Sequence, residues 1–426
     1  MKNYILLFSL CTNLYLHASA NQHMLKANRD LTEVIMHDIF SPPVASRIYA
    51  YANIAAYETI MSGSKQYNSY AGQLKGLTPH SIKLPAAAHL EVASLAAFYY
   101  TAQAFVFSEK NMDSLLTQNI GTIKGKYDLD SSIYFGKMIA NHIITWAKTD
   151  GYITTRSKPR YTYYDEPGKW MPTPPEYMDA IEPYWPQLRT MAIDSASQFR
   201  PEPPQAFNLD NNGPFFFLAK EVYTIHASLN DSLIAIANHW DCNPFALHPT
   251  GHFLVSTKKI TPGGHWIGIT GVLLKQLNAN FEQATYAFSK VSIALFDAFI
   301  SCWDAKFHYN YIRPVTAITQ LIDENWKSYL QTPPFPEYTS GHSVVSGAAS
   351  TVLNKIFGQN TTFVDTVEQD FGLPPRKFNS FDDAANEASE SRIIGGIHFR
   401  EAVVNGLAQG RLIGETINER LYLINH

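Results

Sequence analysis

Three short segments in the last third of the chain carry the residue types of an oxyanion site. The first is Lys306-Phe-His-Tyr-Asn-Tyr-Ile-Arg313-Pro314, with two cations seven residues apart. On a continuous helix that spacing is about two turns, which would put both cations on one face. Pro314 disfavours helix at Arg313, so a break there is the alternative. Either geometry can aim both cations at one point. The second segment is Phe335-Pro-Glu-Tyr-Thr-Ser340-Gly341-His342, followed by an apolar run. Thr339 or Ser340 can cap the helix that follows, and Gly341 lets backbone approach a ligand closely. The free amides at such a helix start attract anions. His342 then stands beside the captured anion as a general acid or base. The third segment is Ser391-Arg392-Ile-Ile-Gly395-Gly396-Ile-His398. On an unbroken helix Arg392 and His398 would lie about 240° apart around the axis. The glycine pair lets the helix end between them and turn the histidine back. Each segment alone is ordinary: surface cations, a capped helix, a terminated helix with a core histidine. Together they offer three cations, a hydroxyl, an amide donor and two histidines. That set suits a tetrahedral oxyanion, with arginine as a fork and lysine as a point charge. The histidines can flank its central atom, one attacking or ligating and the other handling protons.

The order K-x6-RP, SGH, SR-x5-H resembles the signature of the vanadium-dependent haloperoxidase and type 2 phosphatidic acid phosphatase (acid phosphatase) superfamily. The resemblance covers residues 303–402 closely, and its nearest kind is the soluble bacterial vanadium haloperoxidases. It implies that Lys306, Arg313 and Arg392 neutralise vanadate oxygens, and that Ser340 and the Gly341 amide hydrogen-bond to them. His398 would ligate the metal, and His342 would be the acid-base residue on the opposite side. Trp303 and Phe335 match aromatic positions that line the halide pocket of chloroperoxidase-like members. Two departures stand out. Thr339 replaces a proline common before the Ser of SGH. Ala402 replaces an aspartate that often orients the last histidine, so another acceptor, such as a backbone carbonyl, is expected to hold His398.

Two chemistries use such a pocket. A haloperoxidase would bind vanadate as cofactor and oxidise halide with hydrogen peroxide, Lys306 polarising the peroxide. A phosphatase would act on a phosphomonoester, with His398 attacking phosphorus to form a phosphohistidine and His342 protonating the leaving alcohol. The chain is longer than the superfamily's soluble phosphatases and lacks the spans of its lipid phosphatases, which favours the peroxidase. A non-catalytic oxyanion-binding protein is the third reading.

The elements that must position these residues read as helices, giving an all-α fold of two stacked helical bundles with the site in the C-terminal one. The N-terminal bundle, 21–157, shows helical periods over 42–61, 85–107, 108–123 and 128–148. Residues 158–213 form a connecting excursion dense in proline and aromatics, and proline at that density forbids helix and sheet interiors. The aromatics Tyr161, Tyr163, Tyr164, Trp170, Tyr184 and Trp185 argue for order there. The C-terminal bundle, 214–426, is predicted to hold helices over 214–228, 230–240, 265–277, 279–305, 314–330, 342–357, 381–394 and 401–422. Asp297 and Asp304, seven apart before Lys306, read as helix-face salt-bridge partners. Trp240-Asp241-Cys242-Asn243-Pro244 and Gly264-His265-Trp266 read as structured elements without assigned chemistry, Trp240 or Trp266 being a candidate wall of the substrate channel.

Composition agrees with one small-molecule enzyme. The chain has 426 residues, 46% of them hydrophobic, with a formal net charge of −4 and no run of Lys or Arg. A nucleic-acid partner is therefore not expected. Residues 1–20 read as an export signal: Lys2, an apolar stretch from Tyr4 to Leu16, then Ala18-Ser19-Ala20 as a cleavage site. Cleavage after Ala20 implies a secreted or periplasmic enzyme. The longest later apolar stretch, Tyr286 to Trp303, carries Lys290, Ser292 and Asp297 and reads as a core helix, so no integral membrane segment is expected in the mature chain. Cys242 and Cys302 would then be the remaining cysteines, and export permits but does not require a disulfide between them. Apolar helix faces of this kind are compatible with a homo-oligomer.

Overall fold

The computed structural model describes residues 22–64, 66–244, 247–250, 253–256 and 259–421, with the side chains of 247–250 and 253–256 left out. The export signal read at 1–20 lies outside the described residues. The fold is all-α, with fourteen α-helices among the described residues. In the first half these are α1 (Gln22–His37), α2 (Pro42–Met61), α3 (Leu90–Gln103), α4 (Glu109–Ile120), α5 (Leu129–Ala147) and the short α6 (Tyr152–Arg156). The second half holds α7 (Pro214–Ala227), α8 (Asp231–His239), α9 (Pro262–Gln276), α10 (Phe281–Tyr309), α11 (Pro314–Leu321), α12 (Gly341–Phe357), α13 (Phe381–Ile394) and α14 (Arg400–Arg420). Two antiparallel strand pairs are the only sheet among these residues: β1 (Leu247–Thr250) with β2 (Phe253–Ser256), and β3 (Phe363–Asp365) with β4 (Arg376–Phe378). No described helix is long and apolar enough to cross a membrane.

Several expectations needed correction. Helix α1 was not anticipated, although Met24, Ala27, Leu31, Val34 and Ile35 mark one face at helical spacing and all are buried. The helix expected over 85–107 starts only at Leu90, and the one expected over 314–330 stops at Leu321. Beyond it the chain turns through Asp323, whose carboxylate takes the Asn325 amide.

Helix α10 organises the molecule. Asn280 and Gln283 close a reciprocal capping box at its start, and Asn310 ends it in the left-handed region at φ 48°. At 29 residues it is about 44 Å long. It packs on α2 of the first half and on α12 of the second, so one hydrophobic core runs from Met24 to Leu421. The proline-rich segment is ordered against it. Asp297 accepts the Met191, Ala192 and Ile193 amides, and Arg200 forks onto Asp304. Asp304 is thus the salt-bridge partner expected, whereas Asp297 serves backbone donors instead.

The closest helix pair is α12 against α14. A Cβ built on Gly410 would overlap the Val344 carbonyl and stand 2.9 Å from the Ala348 nitrogen, so only glycine permits this crossing. Because α12 begins at the Ser-Gly-His segment, the crossing also sets where that segment sits. Gly410→Ala is expected to destabilise the protein by about 1–3 kcal/mol through overpacking. Chemical denaturation measures this, and an unchanged midpoint with an unchanged slope would contradict the contact.

Candidate oxyanion site

The three sequence segments converge because each sits at a helix terminus. Lys306 lies on the last turns of α10. Arg313 does not continue that helix: after Asn310 the chain is extended, and Arg313 caps α11 with φ −86° and ψ 152°. Of the two geometries open to the sequence, the break is the one formed. The Pro-rich segment braces it, since Trp170 donates its amide to Asn310 and Ile312 donates to Gly168. Ser340 caps α12, its hydroxyl accepting the Ser343 amide at 3.3 Å. Arg392 is in the last turn of α13. The Ile397 amide bonds to the Arg392 carbonyl and the Gly396 amide to the Ile393 carbonyl, with Gly396 at φ 78°. That Schellman turn brings His398 back toward Arg392.

The resulting pocket is buried and cationic. Lys306, Arg313, Ser340, Arg392 and His398 are all at most 2% exposed. Arg313 anchors itself on the Phe335 and Ile397 carbonyls, at 2.9 and 2.8 Å, and its Nη1 lies 3.2 Å from His398 Nε2. Lys306 donates to the Pro336 and Glu337 carbonyls, both at 2.9 Å. Its ammonium sits 4.9 Å from the centre of the Phe335 ring and 5.9 Å from Trp303, and these two rings are themselves 4.9 Å apart. His342 and Phe335 are only partly buried and form the pocket's more open side. His342 feels the charges of Arg392 and Lys306, and His398 feels those of Arg313, Lys306 and Arg392.

Burial dominates the titration of the site. It pushes the Lys306 ammonium down to about 7, with Arg313 adding to the shift and the Glu337 carboxylate opposing it. Burial also lowers Arg313 to about 10. Both histidines are held well below their ordinary value, first by burial and then by the surrounding cations, so both are neutral.

One residue central to the geometry was not singled out from the sequence. The Glu337 carboxylate, fully buried, accepts from His398 Nδ1 at 2.8 Å and from the Phe399 amide at 2.9 Å. It fills the role left open by Ala402, and it is a side-chain carboxylate rather than the backbone carbonyl suggested earlier. The Ala402 carbonyl instead accepts the Ser340 amide at 3.0 Å. With Nδ1 donating to Glu337, neutral His398 presents its Nε2 lone pair to the pocket. Burial drives Glu337 up to about 7 against the pull of Arg313 and the Phe399 amide.

The residues fit an oxyanion. Arg313 Nη2, Arg392 Nη2 and His342 Nε2 are buried and have no protein partner. Leaving two guanidinium nitrogens unpaired is costly unless a ligand completes them. A Cβ on Gly341 would meet only Trp303, at 3.7 Å, which leaves room in front of the α12 amides. The larger grooves lie elsewhere: one of about 380 Å³ over the Pro-rich segment and one of about 650 Å³ between α1 and α9. A four-oxygen anion needs less room than either, and among the described residues the group around His398 brings the unpaired Arg313 and Arg392 nitrogens together. Cys242 and Cys302 are both free thiols and buried in different surroundings, the first beside His265 and the second beside Thr339.

Comparison with known proteins accords with this geometry. The family described as the VCPO second helical-bundle domain matches residues 286–424. The solved structure of a bacterial vanadium-dependent iodoperoxidase is similar at 44% identity, with a TM-score of 0.90, over 95% of this chain and 97% of that one. Holo-type and apo-type structures of a bacterial vanadium-dependent chloroperoxidase share the fold at 18% identity. Their TM-scores are 0.69 and 0.68, each over 90% of this chain and over 93% and 95% of theirs. No curated protein matches.

Proposed function

The chain belongs to the vanadium-dependent haloperoxidase family, and from that premise we propose that it oxidises iodide with hydrogen peroxide at a vanadate ligated by His398. Vanadate is the cofactor and the enzyme is an oxidoreductase. The observation that carries the assignment of the site is the set of unpaired donors, Arg313 Nη2 and Arg392 Nη2, beside the acceptor nitrogen Nε2 of His398. Bound there, vanadate supplies a Lewis acid that activates peroxide toward halide without itself changing oxidation state.

The chain's own residues do the rest. Glu337 holds the Nδ1 proton of His398 and so fixes the tautomer that ligates through Nε2. Arg313 and Arg392 would offer planar forks to the oxygens of the bound anion, and the α12 amides with Ser340 would add neutral donors. His342 has its other nitrogen engaged by the backbone of Trp240, so neutral Nε2 is the atom that accepts a proton from incoming peroxide. Lys306 supplies a positive point charge near the reacting oxygens, and Trp303 and Phe335 cover it from water. Iodide is supported by the likeness to an iodoperoxidase and by iodide being the most readily oxidised of the halides in question. The test is vanadate-reconstituted enzyme assayed with peroxide and iodide, bromide and chloride in turn, beside a phosphatase assay. Iodide oxidation is expected; phosphate release from a phosphomonoester without halide oxidation would reverse the reading. Residues 1–20 support export, with cleavage after Ala20, which N-terminal sequencing of the enzyme from its native cells checks.

The depressed Lys306 value makes a pH prediction. Its folded value, about 7, lies below the ordinary 10.5, so its proton is lost in the ligand-free protein as pH rises through about 7. A bound oxyanion favours the charged ammonium and raises that value. Between the two, oxyanion affinity is expected to fall toward about tenfold per pH unit. By the same linkage, the penalty Lys306 imposes on the ligand-free fold is present at low pH and relieved as pH rises from about 7 toward about 10.5. Equilibrium binding of vanadate across this range, with Lys306→Gln flattening the Lys306 contribution, measures the first effect. An identical slope in parent and variant would show that another group carries it.

A further inference from the structure

A second group of chemistry-bearing side chains is buried away from His398. His239 ends α8, Cys242 follows it, His265 is in the first turn of α9, Asp365 ends β3, and Glu368 lies in the 3-10 turn Val367–Phe371. All five are buried, with Glu368 the most accessible at 8%. Cys242 Sγ lies 3.4 Å from His265 Nδ1, and Glu368 Oε1 lies 3.4 Å from the same nitrogen. The three ligand atoms are all within 4.8 Å of one another. On the other side of the ring, His265 Nε2 is 2.7 Å from Asp365 Oδ2, which also takes His239 Nε2 at 3.0 Å.

We propose that Cys242 Sγ, His265 Nδ1 and Glu368 Oε1 form a binding site for a divalent, thiophilic transition metal of the zinc class, with Asp365 orienting His265 from behind. Three features carry this. First, two of the three spacings fit: bonds of about 2.3 Å to sulfur and about 2.0–2.1 Å to nitrogen or oxygen give tetrahedral edges of about 3.3–3.7 Å, and His265 Nδ1 lies 3.4 Å from both Cys242 Sγ and Glu368 Oε1. Second, one Nδ1 proton cannot point at both the sulfur and the carboxylate, whereas one cation between the three atoms satisfies all of them. Third, the second shell is in place. A metal-ligating histidine usually donates its remaining N–H to a carboxylate, and Asp365 sits where His265 Nε2 needs it. The donor set of thiolate, imidazole and carboxylate selects zinc-like ions over magnesium or calcium.

The surroundings set the cluster beside a groove and beside His342. The groove of about 650 Å³ is lined by Gly264, next to His265, and by Val367 and Gln369, on either side of Glu368. The nearby cation Lys259 pairs directly with Asp241 and also acts on Glu368 through its charge. The Trp240 indole stacks on His265 at 4.6 Å and 23°, and the Trp240 backbone holds His342. An ion at Cys242 would therefore brace the segment that positions His342, on a cluster whose Cys242 and His265 already feel Arg392 and His342 of the oxyanion site.

The experiment uses the whole purified chain, stripped with a chelator and titrated with Co²⁺ or Zn²⁺ without vanadate. Stoichiometric uptake is expected, with Co²⁺ giving a thiolate-to-metal charge-transfer band that Zn²⁺ displaces. Cys242→Ser should abolish the band, Cys302→Ser should keep it, and Glu368→Gln should weaken binding about tenfold or more. Chelation should lower the melting temperature of the parent but not of Cys242→Ser. A folded parent chain with no band and no stoichiometric metal overturns the proposal and leaves a metal-free Cys-His-Asp hydrogen-bond chain. So does a band that survives in Cys242→Ser.

Discussion

Replacing His398 by alanine is expected to lower halide oxidation by at least about 10³-fold, equivalent to about 4 kcal/mol of transition-state stabilisation. The loss should follow cofactor occupancy. His398 Nε2 is the acceptor nitrogen that lies against the Arg313 guanidinium, because its Nδ1 proton is committed to Glu337. The other histidine cannot substitute, since it belongs to α12 and meets the pocket from its more open side. The cationic cradle survives the substitution: Arg313 keeps its anchors on Phe335 and Ile397, and Lys306 keeps its two carbonyls. The variant should therefore still take up a simple tetrahedral anion such as phosphate, weakly, while retaining little vanadium. Metal analysis after gel filtration, paired with an initial-rate iodide assay, checks both halves. Near-parental vanadium retention in the variant would place the ligand elsewhere.

What the sequence makes legible here follows from interaction range. The oxyanion segments are legible because each is a local motif whose geometry is decided by neighbours: a proline after Arg313, a cap before Gly341, a glycine pair before His398. Helix α12 and helix α13 are readable for the same reason, since capping serines begin both and glycines follow both. Glu337 is different. It lies inside the second quoted segment, yet an acid between proline and tyrosine carries no local sign that it will be buried under a histidine sixty-one residues further on. The available clue was indirect, namely that Ala402 cannot accept a proton and something must. The Cys242 cluster is harder still. Its members come from α8, α9 and the β3 region, and only tertiary packing brings positions 242, 265 and 368 within bonding range of one ion. Helix α1 has a readable apolar face, but it directly follows the segment read as an export signal and carries no proline start to mark its beginning.

Glu337→Ala is expected to weaken vanadate binding about 10- to 100-fold, the usual cost of losing the group that orients a metal-ligating histidine. The argument is one of position. Without Glu337 the Nδ1 proton of His398 and the Phe399 amide both lose their acceptor in a dry site, so the ring is free to rotate or to hold its proton on Nε2. Either change removes the lone pair from the pocket. Glu337→Gln separates orientation from charge, because its amide oxygen can still accept from both donors while the carboxylate's negative charge is gone. If orientation dominates, the glutamine variant should bind vanadate within a few-fold of the parent. The alanine variant should then recover much of its turnover number at saturating vanadate, its defect lying in affinity. If both variants fall equally, the charge of Glu337 does the work, raising the basicity of His398 and balancing Arg313 and Lys306. Because burial already brings Glu337 to about 7, the parent should then lose affinity as pH falls below about 7 and the carboxyl takes up a proton. The glutamine variant should show no such loss. An alanine variant with parental affinity would remove Glu337 from the site's function altogether and return the orientation of His398 to the backbone.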